Sequence, residues 1–411
     1  MPRQRPPSGS FGGVSDSVTV VWDDGYLGYD LGGDHPLHPV RLALTVSLAR
    51  LLGVLDAPHV SVVAPRPAGE DLLTLVHDPA YLEVVRQAPH LGWAAGHGFD
   101  SPDNPVFPGM YEASALITGG SVLAAERVWS GQSQHAVNIA GGLHHAMRSR
   151  ASGFCVFNDP AVAIARLLQL GAERVAYVDV DVHHGDGVQA AFYTDPRVLT
   201  VSLHQTPLTL FPGTGFPDEV GRGDATGTSV NVALPVGTTD EEWHRAFHAV
   251  VPGVLRAFRP QVLVTQAGCD THHEDPLAEL ALTVDGQRSS YMVLHELAHE
   301  LCEGRWVALG GGGYGLVRCV PRAWTHLLAE AVGQRVAPGT PVPAEWLDEV
   351  RERGLRTPPP RVMTELDPAP QGIAWRGWQP GEADSPLDRA VAATRRAVYP
   401  LHGLDPDDPR D

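Results

Sequence analysis

Seven short runs of β-branched and aliphatic residues recur along the chain: SVTVVW, HAVNIA, RVAYVDVDV, RVLTVSLH, SVNVALP, QVLVTQAG and RWVALGG. Several are apolar at nearly every position, as strands covered on both faces require. Between them lie segments with helical spacing of apolar residues, among them PAVAIARLLQLGAE, DEEWHRAFHAVVPGVLRAF and GQRSSYMVLHELAHELCEG. Strand and helix alternating in this way predict an α/β domain with a mostly parallel central sheet flanked by helices. In such sheets ligands bind outside the carboxyl ends of the strands.

One of those ends is unusual. In VAYVDVDVHHGDG (Val175–Gly187) acidic residues and histidine fall on alternate positions. A strand extended through His183 would send Asp179, Asp181 and His183 to one face and Val178, Val180 and Val182 to the other. Two carboxylates and an imidazole among apolar neighbours stay unsatisfied unless something positive neutralises them, and a divalent metal does so. QVLVTQAGCD ends on Asp270, a third potential ligand at the same kind of position as Asp181 and His183, on a different strand. Three protein ligands leave a coordination position open, as catalytic sites do. His144 and His145 follow the strand HAVNIA and two glycines, and Asp179 and Asp186 are the candidate partners for their Nδ1 protons. Tyr314 follows four glycines in RWVALGGGGYG, where its hydroxyl could donate to a developing oxyanion.

Of the 411 residues, 1–17 are rich in Pro, Ser and Gly and are expected to be disordered; 18–335 form the catalytic domain; 336–411 read as a proline-rich, irregular tail with a final helix in SPLDRAVAATRRAVYPL. The net charge of −18 argues against nucleic acid as a partner. No stretch approaches the roughly 20 apolar residues of a membrane span, so no membrane partner is expected. Cys155, Cys269, Cys302 and Cys319 show no CxxC spacing, which suits a reducing cytoplasm. Two rival motifs are weaker. HELAH (His295–His299) matches HExxH and would set both histidines on one helix face, but no third ligand with zincin context follows. Gly310, Gly312 and Gly315 satisfy GxGxxG, yet no strand ending in an acidic residue follows about 20 residues later, as a dinucleotide site demands.

The motifs GGLHHA, SGFCVFND, DVDVHHGDG, VSLH, FPGTG, GCD and GGGGY, in that order, resemble the histone deacetylase superfamily, which includes acetoin-utilisation deacetylases and acetylpolyamine amidohydrolases. The resemblance runs from about residue 25 to residue 325. It implies an arginase/deacetylase-like domain and a zinc or iron(II) ion held by Asp181, His183 and Asp270. A structural potassium ion is implied at Asp179, Asp181, Ser202 and main-chain oxygens around His183 and Leu203. His145 matches the general base and acid, oriented by Asp186, with His144 tied to Asp179; Tyr314 matches the tyrosine that hydrogen-bonds the scissile carbonyl. Gly153, Phe154 and Phe211 match the walls of a narrow tunnel, Asp100 (with Asp103 as the alternative) the rim aspartate, and Arg41 an acetate exit path. Leu277 on the rim resembles members acting on acetylated lysine. The implied reaction therefore removes acetyl groups from N-acetyl-lysine side chains of proteins and releases acetate. A small acetylated polyamine is the alternative substrate, because His272, His273, Glu274 and Glu279 crowd the same loop. Gly315 stands where many members carry Asn.

Overall fold

A computed structural model describes residues 17–91, 96–365, 385–408 and 410. Its strands are β1 (Val18–Val21), β2 (Val60–Val63), β3 (His135–Asn138), β4 (Val175–Asp179), β5 (Val198–Gln205), β6 (Ser229–Leu234), β7 (Val262–Gln266) and β8 (Trp306–Leu309). They form one eight-stranded sheet in the order β2-β1-β3-β8-β7-β4-β5-β6, with every pairing parallel. The inner strands are buried along their whole length because helices cover both faces, which is why their sequences do not alternate. At the edge, β2 leaves Val62 44% exposed.

Register levels the strand ends. Asp179 at the end of β4 pairs with Ser202 of β5 and Gln266 of β7, while His135 opens β3 opposite Trp306, the first residue of β8. The strand expected to run through His183 stops at Asp179. Its own carboxylates bend it: Asp179 Oδ1 accepts from the Asp181 amide at 3.1 Å, and Asp181 Oδ1 from the His183 amide at 3.0 Å. The bent segment stays tethered, with Val180 N donating to Gln266 O and Gln205 N to Val182 O.

The described part of the 336–411 segment is more regular than its prolines suggest. Ala344–Glu352 forms a helix behind Pro343. Trp346 and Val350 pack in a second core with Leu44 and Leu48 of the Val40–Leu51 helix, Val317 and Met363. The Trp346 indole donates to Leu44 O at 2.9 Å. The expected last helix spans Pro386–Val398 and docks on the domain: Thr394 Oγ1 donates to Asn231 O in β6, and Arg395 to Ala249 O in the Asp240–Phe258 helix, both at 2.6 Å. The expectation of disorder concerns residues that, except for Ser17, lie outside those described. Among the described residues no helix is long and apolar enough to cross a membrane.

Candidate active site

The loops that follow β4 and β7 bring Asp181, His183 and Asp270 together, with one ligand atom from each within 4.8 Å of the others. His183 Nδ1 lies 3.3 Å from Asp181 Oδ1 and 3.1 Å from Asp270 Oδ2. Both aspartates are fully buried. Backbone amides hold their remaining oxygens, Val182 N on Asp270 Oδ1 and Gly312 N on Asp181 Oδ2. Two buried carboxylates against one imidazole leave an acidic excess; burial and the charge of Asp181 raise the Asp270 carboxyl above its ordinary range. The space beside them is kept open by glycine, since a Cβ on Gly312 would stand 1.9 Å from Asp270 Oδ2 and 3.0 Å from Asp181 Oδ2. A buried set of one nitrogen and two carboxylate donors fits zinc or iron(II) with a position left for substrate.

His144 and His145 are delivered by the turn after β3. That turn is fixed by Asp159, a buried carboxylate that sequence reasoning passed over: it accepts from Gly142 N at 3.0 Å and Leu143 N at 2.8 Å. His144 Nδ1 donates to Asp179 Oδ2 at 2.8 Å, and His145 Nδ1 to Asp186 Oδ1 at 2.7 Å. With both Nδ1 protons committed, the facing Nε2 atoms, 3.0 Å apart, share one proton. Burial works against charge on both rings. For His144 the carboxylates of Asp179 and Asp181 outweigh it and raise the pKa to about 9. For His145 burial, reinforced by the charge of His144, wins over Asp186 and lowers the pKa to about 4. His145 is therefore the unprotonated base of the pair at neutral pH.

Beside this pair opens a cavity of about 190 Å³ lined by Asp103, Gly153, Phe154, Leu210, Phe211 and Leu277, with His145, His183 and Tyr314 at its buried end. The rings of His145 and Phe211 meet edge to face at 5.0 Å, and those of Phe154 and Tyr314 at 5.7 Å. Phe154 has φ +69°, a conformation most side chains avoid, and Tyr29 holds it there by donating to Phe154 O at 2.7 Å. The Tyr314 phenol is kept protonated far above its usual range by burial and by the carboxylates of Asp270 and Asp181. Asp275, another residue not singled out from sequence, accepts from both Tyr314 N (2.8 Å) and Leu277 N (3.0 Å), tying the rim to the tyrosine loop. Asp100 is not brought to this cavity; it lines an adjoining groove with Gly96 and His97, and Asp103 lies on both. Arg41 lies behind the glycine loop, donating to Gly311 O and Gly313 O, with its guanidinium 5.0 Å above Trp324.

Comparison with known proteins agrees with this geometry. Residues 35–331 match the family model described as the histone deacetylase domain. The chain belongs to the histone deacetylase family. It is 41% identical over 338 residues to the acetoin utilization protein AcuC of Bacillus subtilis (strain 168), covering 81% of this chain and 86% of that one. The AcuC of Staphylococcus xylosus is 35% identical, with 81% and 87% covered. The crystal structure of a histone deacetylase homologue from Aquifex aeolicus superposes with a TM-score of 0.78 at 29% identity, over 92% of this chain and all of that one. Family membership supports a deacetylase, a class of hydrolase that is generally metal-dependent.

Proposed function

We propose that this protein hydrolyses the acetyl amide of N-acetyl-lysine side chains in proteins, releasing acetate. The observation that carries the reading is the convergence of His145–Asp186, Tyr314 and the Asp181–His183–Asp270 trio at the buried end of an apolar cavity. Asp181, His183 and Asp270 would hold zinc or iron(II), which would supply a Lewis acid to polarise the amide carbonyl and acidify water. His145, neutral and oriented by Asp186, takes the proton from the attacking water and returns it to the leaving amine. The Tyr314 hydroxyl donates to the oxyanion as it develops. Gly153, Phe154, Phe211 and Leu277 enclose the aliphatic chain of the substrate, and Asp103 accepts hydrogen bonds from its backbone at the mouth. Asp179 and Ser202, level across β4 and β5, would contribute to a structural potassium site.

Lysine is favoured over polyamine by the charge of the rim. Asp103 is the one carboxylate lining the cavity among the described residues, and Glu274 on the neighbouring loop is held by Arg318 at 2.7 Å. A polycation would find little to hold it there. The four cysteines are buried and unbridged, which supports a reducing cytoplasm as the compartment. Acetate release from an acetyl-lysine peptide, compared with acetylated spermidine and putrescine, tests the assignment with metal-reconstituted protein. Faster turnover of the peptide supports it, polyamine preference reverses the substrate, and no hydrolysis of any acetyl amide refutes the reading.

A further inference from the structure

At the opposite end of the sheet the HELAH segment acquires the third ligand that its own sequence neighbourhood lacks. His295 and His299, one turn apart on the Val284–Cys302 helix, meet His135, the first residue of β3. The three Nε2 atoms converge: His299 Nε2 lies 3.0 Å from His295 Nε2 and 3.2 Å from His135 Nε2. Nitrogens around a tetrahedral zinc ion at about 2.0–2.1 Å stand roughly 3.3 Å apart.

The outer partners decide what these nitrogens offer. His135 Nδ1 donates to Ala331 O at 2.8 Å, and His295 Nδ1 donates to Glu330 Oε1 at 2.8 Å. In its neutral form, a ring so committed turns a lone pair, not a proton, toward the centre. At most one N–H, from His299, can point into a space faced by three nitrogens, and it cannot satisfy both lone pairs fully. Glu330 is itself clamped by Arg335 through Nε at 2.7 Å and Nη2 at 2.8 Å, so the carboxylate that orients His295 is fixed in turn. A carboxylate–histidine pair of this kind is the usual outer support of a metal-binding imidazole. The Trp306 indole stacks on His295 at 5.3 Å, and exposed His299 leaves the fourth direction open to water.

We infer that His135, His295 and His299 form a second metal site, distinct from the catalytic trio, that binds a divalent transition ion of the zinc class. It joins the start of β3 to the last turns of the Val284–Cys302 helix. Its neutral all-imidazole donor set suits zinc, cobalt(II) or nickel(II) rather than magnesium or calcium. Glu296, the remaining polar residue of HELAH, is exposed and is not part of the cluster, so the site is a brace and not a zincin centre.

The test uses the full, tag-free chain, stripped with chelator and loaded with zinc or cobalt(II), with bound metal counted after desalting. The expected result is two ions per chain in the wild type, one in His299→Ala and one in Asp181→Ala/His183→Ala, with acetate release unchanged in His299→Ala. Glu330→Gln should retain the ligands but weaken the second site by about 10- to 100-fold. In the Asp181→Ala/His183→Ala background zinc should raise Tm, and adding His299→Ala should remove the rise. Equal metal content in wild type and His299→Ala would overturn the inference and leave a proton shared by three histidines. Because the count does not depend on turnover, it stands apart from the deacetylase assignment.

Discussion

In the proposed reaction Tyr314 and Asp103 make separable demands. Removing one oxyanion donor costs about 100- to 1000-fold in rate, so Tyr314→Phe should cut kcat by that factor while metal content, assigned by our proposal to Asp181, His183 and Asp270, stays unchanged. Asp103→Ala should raise KM for an acetyl-lysine peptide with little change in kcat, whereas Asp100→Ala, in the adjoining groove, should alter neither. A larger KM effect from Asp100→Ala would return the rim role to that residue. The two aspartates show where sequence reading loses resolution: they stand three positions apart in one loop, and only the path of the chain decides which reaches the cavity. Asp159 and Asp275 escaped notice for a related reason. Each acts by accepting backbone amides from residues remote in sequence, and a carboxylate that holds a turn looks, in a string of letters, like one that faces water.

Among the elements, the inner strands were plain in the sequence because burial on both faces selects unbroken β-branched runs. The edge strand β2 was not, since VSVV is only four residues long and only partly buried. The Ala344–Glu352 helix was obscured by the prolines on either side, although Trp346 and Val350 already lie on one helical face. Its packing against the Val40–Leu51 helix makes a prediction about that segment. Trp346→Ala should destabilise the fold by about 3–5 kcal/mol, as emptying a buried aromatic site does, and calorimetry or urea unfolding would measure it. A loss below about 1 kcal/mol would mean that this second core contributes little to the stability of the domain.

For the molecule as a whole, buried neutral histidines should make acid destabilising before the exposed carboxylates titrate. Burial lowers the pKa of His77 and of His244 to about 4 and that of His326 to about 3. His77 Nε2 accepts the Asn158 amide at 2.9 Å, a bond that protonation would break. In the unfolded chain these rings titrate near about 6.5, so between that pH and about 4 the unfolded state binds more protons than the folded one. The stability they contribute is present above about pH 6.5 and is lost as pH falls toward 4, on the order of a few kcal/mol at most for each ring. The urea midpoint should fall from pH 7.5 to pH 4.5, and His244→Gln should flatten that slope. A midpoint independent of pH in this window would contradict the burial of neutral histidines.

The strand order carries a consequence for how such a chain is made. β8 lies between β3 and β7, and it alone joins the β2-β1-β3 group to the β7-β4-β5-β6 group. On the ribosome, both groups emerge before the strand that unites them, each presenting an unpaired edge to solvent. Tyr314 follows β8 within a few residues, so the proposed oxyanion donor is placed only as the sheet is closed. A nascent chain stalled before Trp306 would therefore be both inactive and a ready client for chaperones.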